Sequence, residues 1–386
     1  MIKIVEQETP MCNELEKGPW PSHVKELKKT GYKGLLLLYE EMYKDKTTHW
    51  THGGMVGVKG YGAGIIGRVS DKRDILADAH TFRIIEPAAW FYKTDYLRKL
   101  CDIWEKYGSG LMNFHGATGD LQLIGIKTEN IGPCFEELAK VGFDLGGSGG
   151  DVRTLSCCIG PARCEWCNID TLEIYQELTM HYISEMHLPR FPHKFKIKVS
   201  GCPNDCVAAI ARSDLAIIGT WRDSIKINQQ AVMEYAKVGL DINYICTKCP
   251  TNAIEWDGKE LKLNAEDCVR CMYCISEMPK ALEVGNDKGV TILIGGRARG
   301  RYGAFISWVL IPFMKLTPPY TELKELIDKI LEWWDENGRT RERVGETIYR
   351  LGMAKFLKAI GVPATPQQVI APRANPFWFY WPGEVK

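Results

Sequence analysis

Lysines and thiols carry the chemistry available to this chain. Between positions 194 and 206 the sequence KFKIKVSGCPNDC alternates cationic and apolar residues, then delivers two cysteines with three residues between them. Side chains of an extended backbone alternate sides, so Lys194, Lys196 and Lys198 share one face and Phe195, Ile197 and Val199 the other. Gly201 and Pro203-Asn204 end the strand and put Cys202 and Cys206 on a turn. Thiolates ligate soft metals, and a lysine row beside them offers a surface to a small anion. An amphipathic edge strand with solvated lysines and two inert cysteines describes the same stretch equally well.

The other cysteines break that tie. Of fourteen, only Cys12, Cys101 and Cys134 stand apart. The rest bunch as Cys157, Cys158, Cys164 and Cys167, then Cys202 and Cys206, then Cys246, Cys249, Cys268, Cys271 and Cys274. In a chain of 386 residues with no secretion signal, such bunching reads as metal ligation rather than disulfides. Cys158 and Cys164 form C-x5-C, Cys202 and Cys206 form C-x3-C, and two such loops can deliver four thiolates to one [4Fe-4S] cluster. Arg153, ahead of the first pair, can bind an oxyanion bidentately or serve as a surface guanidinium paired with Asp151.

Residues 245–282 look like an inserted ferredoxin module. The run Cys268, Cys271, Cys274 continues to Met278-Pro279, where a two-cluster ferredoxin has Cys-Pro, and the cysteine before proline here is Cys249. Cys249, Cys268, Cys271 and Cys274 can therefore build one cluster, while Met278 marks the absence of a second. A zinc site is the alternative. Asp257-Gly258 predicts a hairpin turn between the two ligand sources, and Cys246 is left without a role.

Composition bounds the answer. Hydrophobic residues at 45% and charged ones at 25% are ordinary globular values, and the length implies two or three domains. With Lys+Arg 49 against Asp+Glu 48, nothing global argues for nucleic acid or a membrane surface. The start MIKIVEQETP has no apolar h-region and no apolar run approaches the roughly 20 residues that span a bilayer, so a cytoplasmic protein is expected.

The positioning elements follow from periodicity. Residues 1–50 read as a helical lead-in. The segment 49–68 holds a formal G-x-G-x-x-G at Gly62, Gly64 and Gly67, but no helical stripe follows it, which argues against a dinucleotide fold and leaves a flexible backbone with Arg68 at its exit. Strand 81–87 bears Arg83, helices are expected at 94–110 and 133–143, and two strands about a glycine turn at 111–126. Further on come a helix at 171–186, a buried strand at 215–220, and helices at 321–338 and 341–361. Arg297, Arg299 and Arg301 read as a solvated basic loop that could alternatively meet cofactor carboxylates, an ambiguity shared by Arg341 and Arg343. The five aromatics of NPFWFYWPGEVK suggest a subunit interface.

C-x5-C followed by C-x3-C resembles the signature of sulfite and nitrite reductases that couple a [4Fe-4S] cluster to siroheme. GPWPSHVKELK, THWTHGGMVGVKGYGAGIIGR, GSGLMNFHGATGD, GGSGGDVRT and KFKIKVSGCPNDCVAAIARSD extend the resemblance, over nearly the whole chain, to the family of dissimilatory sulfite reductase alpha subunits. That resemblance implies an α+β, sulfite-reductase-like siroheme fold with an inserted bacterial-ferredoxin-like module. Its domains would be 1–150, then 151–240 with 287–386, and the module 241–286. It implies that Cys158, Cys164, Cys202 and Cys206 hold the coupled cluster, that Cys206 is also the axial ligand of the siroheme iron, that Arg83, Arg153, Lys194, Lys196 and Lys198 face the reacting anion, and that Arg212 touches the cofactor. It implies six-electron reduction of sulfite, with electrons relayed by the second [4Fe-4S] cluster, a beta subunit in an α2β2 assembly, and a small sulfur-carrier partner. Adjacent residues point to opposite faces, so Cys158 is chosen over Cys157 on spacing, with Cys157 and Cys167 as structural thiols. An electron-relay subunit with an occluded tetrapyrrole and a siroheme nitrite reductase are the alternatives.

Overall fold

Alternating strands and amphipathic helices divide the chain into two units, one of residues 1–151 with 184–189 and the other of 152–183 with 190–386. The computed structural model describes residues 65–69, 76–85, 91–187, 190–298 and 303–368, together with Pro10 and Asn13. The helical lead-in, the glycine segment from 49 to 64 with its histidines, and the aromatic tail lie outside the described residues.

In the first unit, strands β1 (Ile65–Val69) and β2 (Leu76–Ile85) precede helix α1 (Thr94–Tyr107). Strands β3 (Gly108–His115) and β4 (Asp120–Ile126), helix α2 (Ile131–Lys140) and strand β5 (Asp144–Leu145) follow. The antiparallel order is β1-β2-β4-β3, with β5 also on β2. Phe82, Ile84, Leu121 and Leu123 point to one face and are sealed by Leu100, Ile103 and Trp104 of α1 and Leu138 of α2. Each such side chain stabilises the layer by about 1.5–3 kcal/mol. By the period of two, Arg83, Asp120 and Gln122 take the opposite face.

The second unit opens with β6 (Ser156–Cys157), α3 (Thr171–His181), α4 (Ile183–His187), which runs on into the first unit, and β7 (Ile197–Ser200). Asp170 starts α3 by accepting from the N–H groups of Leu172 and Glu173. The expected helix over 171–186 is interrupted at Tyr182, between α3 and α4. Next come α5 (Ala209–Arg212), β8 (Leu215–Trp221) and β9 (Lys226–Ile227), then α6 (Gln229–Lys237), α7 (Ile242–Thr247), β10 (Ile254–Trp256), β11 (Leu261–Leu263), α8 (Tyr273–Glu277) and β12 (Leu282–Glu283). The chain closes with β13 (Lys288–Ile294), β14 (Trp308–Met314), α9 (Thr321–Asn337), α10 (Val344–Leu351) and α11 (Met353–Ile360). The single helix expected over 341–361 is split at Gly352, whose φ of 95° a right-handed helix cannot contain.

Sheet order β14-β13-β8-β7-β6 makes β7 an interior strand, parallel to both neighbours. This overturns the edge-strand reading. Phe195 packs against Trp334 of α9 with ring centroids 5.8 Å apart, and Ile197 and Val199 are also buried. A slip of one residue would drive the lysines into that aromatic layer, which fixes the register.

Residues 222–287 leave the sheet between β8 and β13, which are themselves paired from Trp221↔Lys288 to Leu215↔Ile294. The β9–β12 pair closes the neck of this excursion. Inside it, β10 and β11 form the hairpin expected at Asp257-Gly258, with Asp257 Oδ1 accepting from Lys259 and Glu260 N–H.

Candidate metal centres

The loop after β6 is tied to the loop after β7. Cys158 N–H donates to Val199 O at 3.0 Å, and Gly201 N–H donates to Cys158 Sγ at 3.1 Å. A Cβ at Gly201 would overlap Cys167 Sγ, and one at Gly219 of β8 would overlap the Gly201 carbonyl. Two glycines thus let β8, the turn at 201 and the cysteine loop 158–167 stack with nothing between them. Cys202 and Cys206 both lie in the electrostatic field of Cys158 and Cys164. The four form one group.

Cys157 is buried in β6 on the opposite side from Cys158. Cys167 is closer to the centre than sequence reasoning placed it. Its thiol borders Cys158, and that contact is the main reason Cys158 is drawn down to about 6, against burial and with help from the Gly201 N–H.

Asp205 is the organiser that spacing did not reveal. Its carboxylate accepts from Ser200 Oγ at 2.5 Å, Ala209 N–H at 2.8 Å and Ile210 N–H at 3.0 Å. These contacts cap α5 and hold the turn between Cys202 and Cys206. Asp205→Ala is expected to lose about 1–3 kcal/mol, since it strands these donors. Thermal unfolding should fall and iron per chain should drop, both measurable on purified protein.

In the excursion, Cys249 follows α7, Cys268 and Cys271 lead into α8, and Cys274 lies in its first turn. Burial pushes Cys274 up to about 12, with repulsion from Cys268, Cys271 and Cys249 adding to it. Ala253 N–H donates to Cys249 Sγ at 3.2 Å. Cys246 also lies in the field of Cys249. Met278, in the position of the missing cysteine, is fully buried.

The donor sets and backbone fit iron and sulfur. Among the described residues, the non-glycine positions with positive φ are Asp205, Ala208, Asn252, Arg270 and Met272, all in or just after the cysteine loops, plus Tyr320 and Arg341. Left-handed residues turn successive N–H groups inward, the nest that accommodates anionic clusters. Four thiols delivered from two loops are the usual complement of a [4Fe-4S] core. Cys202 and Cys274 belong to one apolar body with Trp221, Met272, Ile275 and Met278, and Trp166, Cys249 and Cys268 pack against it.

Beside the first quartet lie the cations. Lys198 is 1% exposed and Arg153 3%, so neither is the solvated side chain that the alternatives required. Arg153 N–H donates to Phe195 O at 2.8 Å. Burial, then Arg212, brings Lys198 down to about 8, with Asp205 opposing. Lys196 is lowered by burial and then by Arg343, Lys194 and Arg153, with Asp214 opposing. His193 is held down at about 3 by burial and by Lys194, Arg343, Arg153 and Arg341. Such crowding of positive charge is the field an oxyanion seeks. Ser156, paired with Lys198 across β6 and β7, has a buried Oγ with no hydrogen-bond partner among the described residues, as do Thr154 Oγ1 and both amide atoms of Asn168. These orphaned atoms mark where a polar cofactor would fit.

Two arginines are structural. Arg343 makes a bidentate bond to Asp214 at 2.7 and 2.6 Å. Arg297, expected in a solvated loop, is buried with its Nη1 2.6 Å from Glu346 Oε1 and its guanidinium over the Phe305 ring. Arg299 and Arg301 lie outside the described residues. In the first unit, Arg83 Nε stands 3.6 Å from Asp120 Oδ2.

Residues 148–367 match the family described as "Nitrite and sulphite reductase 4Fe-4S domain", and residues 76–141 the "Nitrite/Sulfite reductase ferredoxin-like half domain". The dissimilatory-type sulfite reductase alpha subunit of Nitratidesulfovibrio vulgaris is 42% identical, covering 98% of this chain and 95% of the relative. The chain belongs to the dissimilatory-type sulfite reductase alpha subunits. The alpha subunit from Allochromatium vinosum is 43% identical over 96% of this chain and 93% of its own. A crystal structure of dissimilatory sulfite reductase I superposes with a TM-score of 0.79 at 42% identity, covering 98% of this chain and 96% of that one. The beta subunit of the Archaeoglobus fulgidus enzyme is 26% identical over 82% of this chain and 87% of its own. Membership in the sulfite reductase family accounts for siroheme and [4Fe-4S] as cofactors. No helix among the described residues is long and apolar enough to cross a membrane.

Proposed function

We propose that this chain is the catalytic alpha subunit of a sulfite reductase that carries sulfite through six electrons toward sulfide. One observation carries the reading: thiol pairs from two separate loops form a single group beside the buried cations Lys198 and Arg153. Cys158, Cys164, Cys202 and Cys206 would hold the cluster coupled to siroheme, with Cys206 also bridging to the siroheme iron. Cys249, Cys268, Cys271 and Cys274 would hold the second cluster, in a ferredoxin-like module. Bound there, siroheme and the clusters supply the electron-transfer chemistry.

The protein's own side chains bind the anion and deliver protons. Arg153 stays charged and can grip sulfite oxygens without giving up a proton. Lys198 is buried and Lys194 and Lys196 are half-buried, so an arriving anion favours the protonated form of each, which can then release a proton as an oxygen leaves as water. Arg83 is proposed as a further anion-binding cation, and Arg212 as a cofactor contact that also lowers Lys198. The apolar body around Trp166 and Trp221 touches both quartets, which supports a dry electron route. An α2β2 assembly with a beta subunit, a small sulfur-carrier protein as a further partner, and a cytoplasmic setting complete the proposal.

The test is absorption and paramagnetic-resonance spectroscopy of the purified complex, with steady-state turnover of sulfite and nitrite. Tetrapyrrole bands, two cluster signals and sulfite turnover are expected. A complex lacking tetrapyrrole overturns the reading, and far faster nitrite reduction assigns the site to nitrite.

A further inference from the structure

On the polar face of the first unit's sheet, strand register brings residues that the proposed reaction leaves without a role beside Arg83. His115 and Ile85 stand opposite Asp120 on its two flanks, and Arg83 stands opposite Gln122, two positions along the same face. The Asp120 side chain is fully buried. Its Oδ1 meets His115 Nδ1 at 3.1 Å and accepts from the Thr118 hydroxyl. Its Oδ2 lies 3.6 Å from Arg83 Nε.

Two contacts on one oxygen stop the carboxylate from turning, so the other oxygen is held toward Arg83. Burial would raise Asp120, but Arg83, His115 and Thr118 hold it at about 2, so it remains an anion. At 3.6 Å the contact with Arg83 is an ion pair rather than a hydrogen bond. The guanidinium is therefore aimed without committing any of its N–H donors to Asp120.

We propose that Asp120, locked by His115 and Thr118, is the positioning residue that fixes Arg83 for oxyanion binding. This rests on the reading of Arg83 as an anion-binding cation. Asp120 itself touches no substrate, and its effect passes through Arg83.

The experiment is a double-mutant cycle on the assembled holoenzyme with sulfite as substrate, measuring KM and kcat separately alongside tetrapyrrole and cluster spectra. Arg83→Ala is expected to raise KM about tenfold or more, and Asp120→Asn about three- to tenfold, with spectra unchanged and the double variant no worse than Arg83→Ala alone. Multiplying effects, or a wild-type KM for Asp120→Asn beside an impaired Arg83→Ala, overturn the positioning role while sparing the reading of Arg83. A wild-type KM for Arg83→Ala overturns both. Should Asp120→Asn fail to assemble, Thr118→Val decides through the same cycle: a rise of about twofold that vanishes in the Arg83→Ala background supports the proposal, and a rise that persists there overturns it.

Discussion

Sulfite turnover by a Cys206→Ser variant should fall to background while the signal of the second cluster survives. Cys206 is the exposed member of its quartet, whereas Cys202 is buried and Cys158 and Cys164 are half-buried. Its exposure suits the role proposed for it as a ligand shared with siroheme. Serine keeps the size but would lose the soft, polarisable sulfur that the proposed bridge requires. Spectroscopy should show an uncoupled or missing first cluster and an intact signal from the other quartet. The converse change, Cys271→Ser, should erase the second signal and leave tetrapyrrole in place. Loss of both centres in either variant would contradict separate sites, and wild-type turnover in Cys206→Ser would dismiss this cysteine as the bridge.

Lys198→Met carries the next largest effect. The lysine is buried opposite Ser156 in the interior of the sheet, and methionine preserves most of its volume while removing charge and proton. Loss of one well-placed acid and cation corresponds to a drop in kcat/KM of about 10²–10⁴. The sign with pH follows from the depressed value of about 8. Below it the ammonium is present and can bind and protonate; above it both abilities fade. Wild-type kcat/KM should therefore decline as pH rises through about 8, and the variant should lack that limb. A variant that keeps both the wild-type rate and the alkaline limb would return Lys198 to packing alone.

Much of this site was legible in the sequence because cysteine chemistry is tied to spacing. C-x5-C, C-x3-C and the C-x2-C-x2-C run named the eight thiols that share two electrostatic fields, and period-two alternation put Lys194, Lys196 and Lys198 on one side of the segment that ends in β7. Spacing does not report strand order, so the interior position of β7 and the burial of Lys198 had to come from the sheet. Asp205 escaped notice because an aspartate in a Pro-Asn-Asp turn reads as ordinary turn chemistry, and only its three accepted bonds reveal its function. Arg297 failed in the opposite sense: a glycine- and arginine-rich segment looks solvated until Glu346, distant in sequence, closes on it. His115, Thr118 and Asp120 lie within the recognisable stretch GSGLMNFHGATGD, but nothing local says that they converge on an arginine from another strand. Gly352 mattered for a simpler reason. A glycine in an amphipathic run is compatible with a helix, and only its observed φ shows the break.

The excursion between β8 and β13 has an evolutionary consequence. Since Trp221 and Lys288 are already cross-strand neighbours, roughly 5 Å apart as such pairs are, a tight turn can replace everything between them without altering strand order. The intervening stretch is thus an exchangeable cartridge, whose replacement would require new packing where Cys202, Trp166 and Trp221 meet it and new partners for Phe313 and Lys315. Given the relay role proposed for this stretch, one reaction frame can in this way be rewired to accept a different electron supplier.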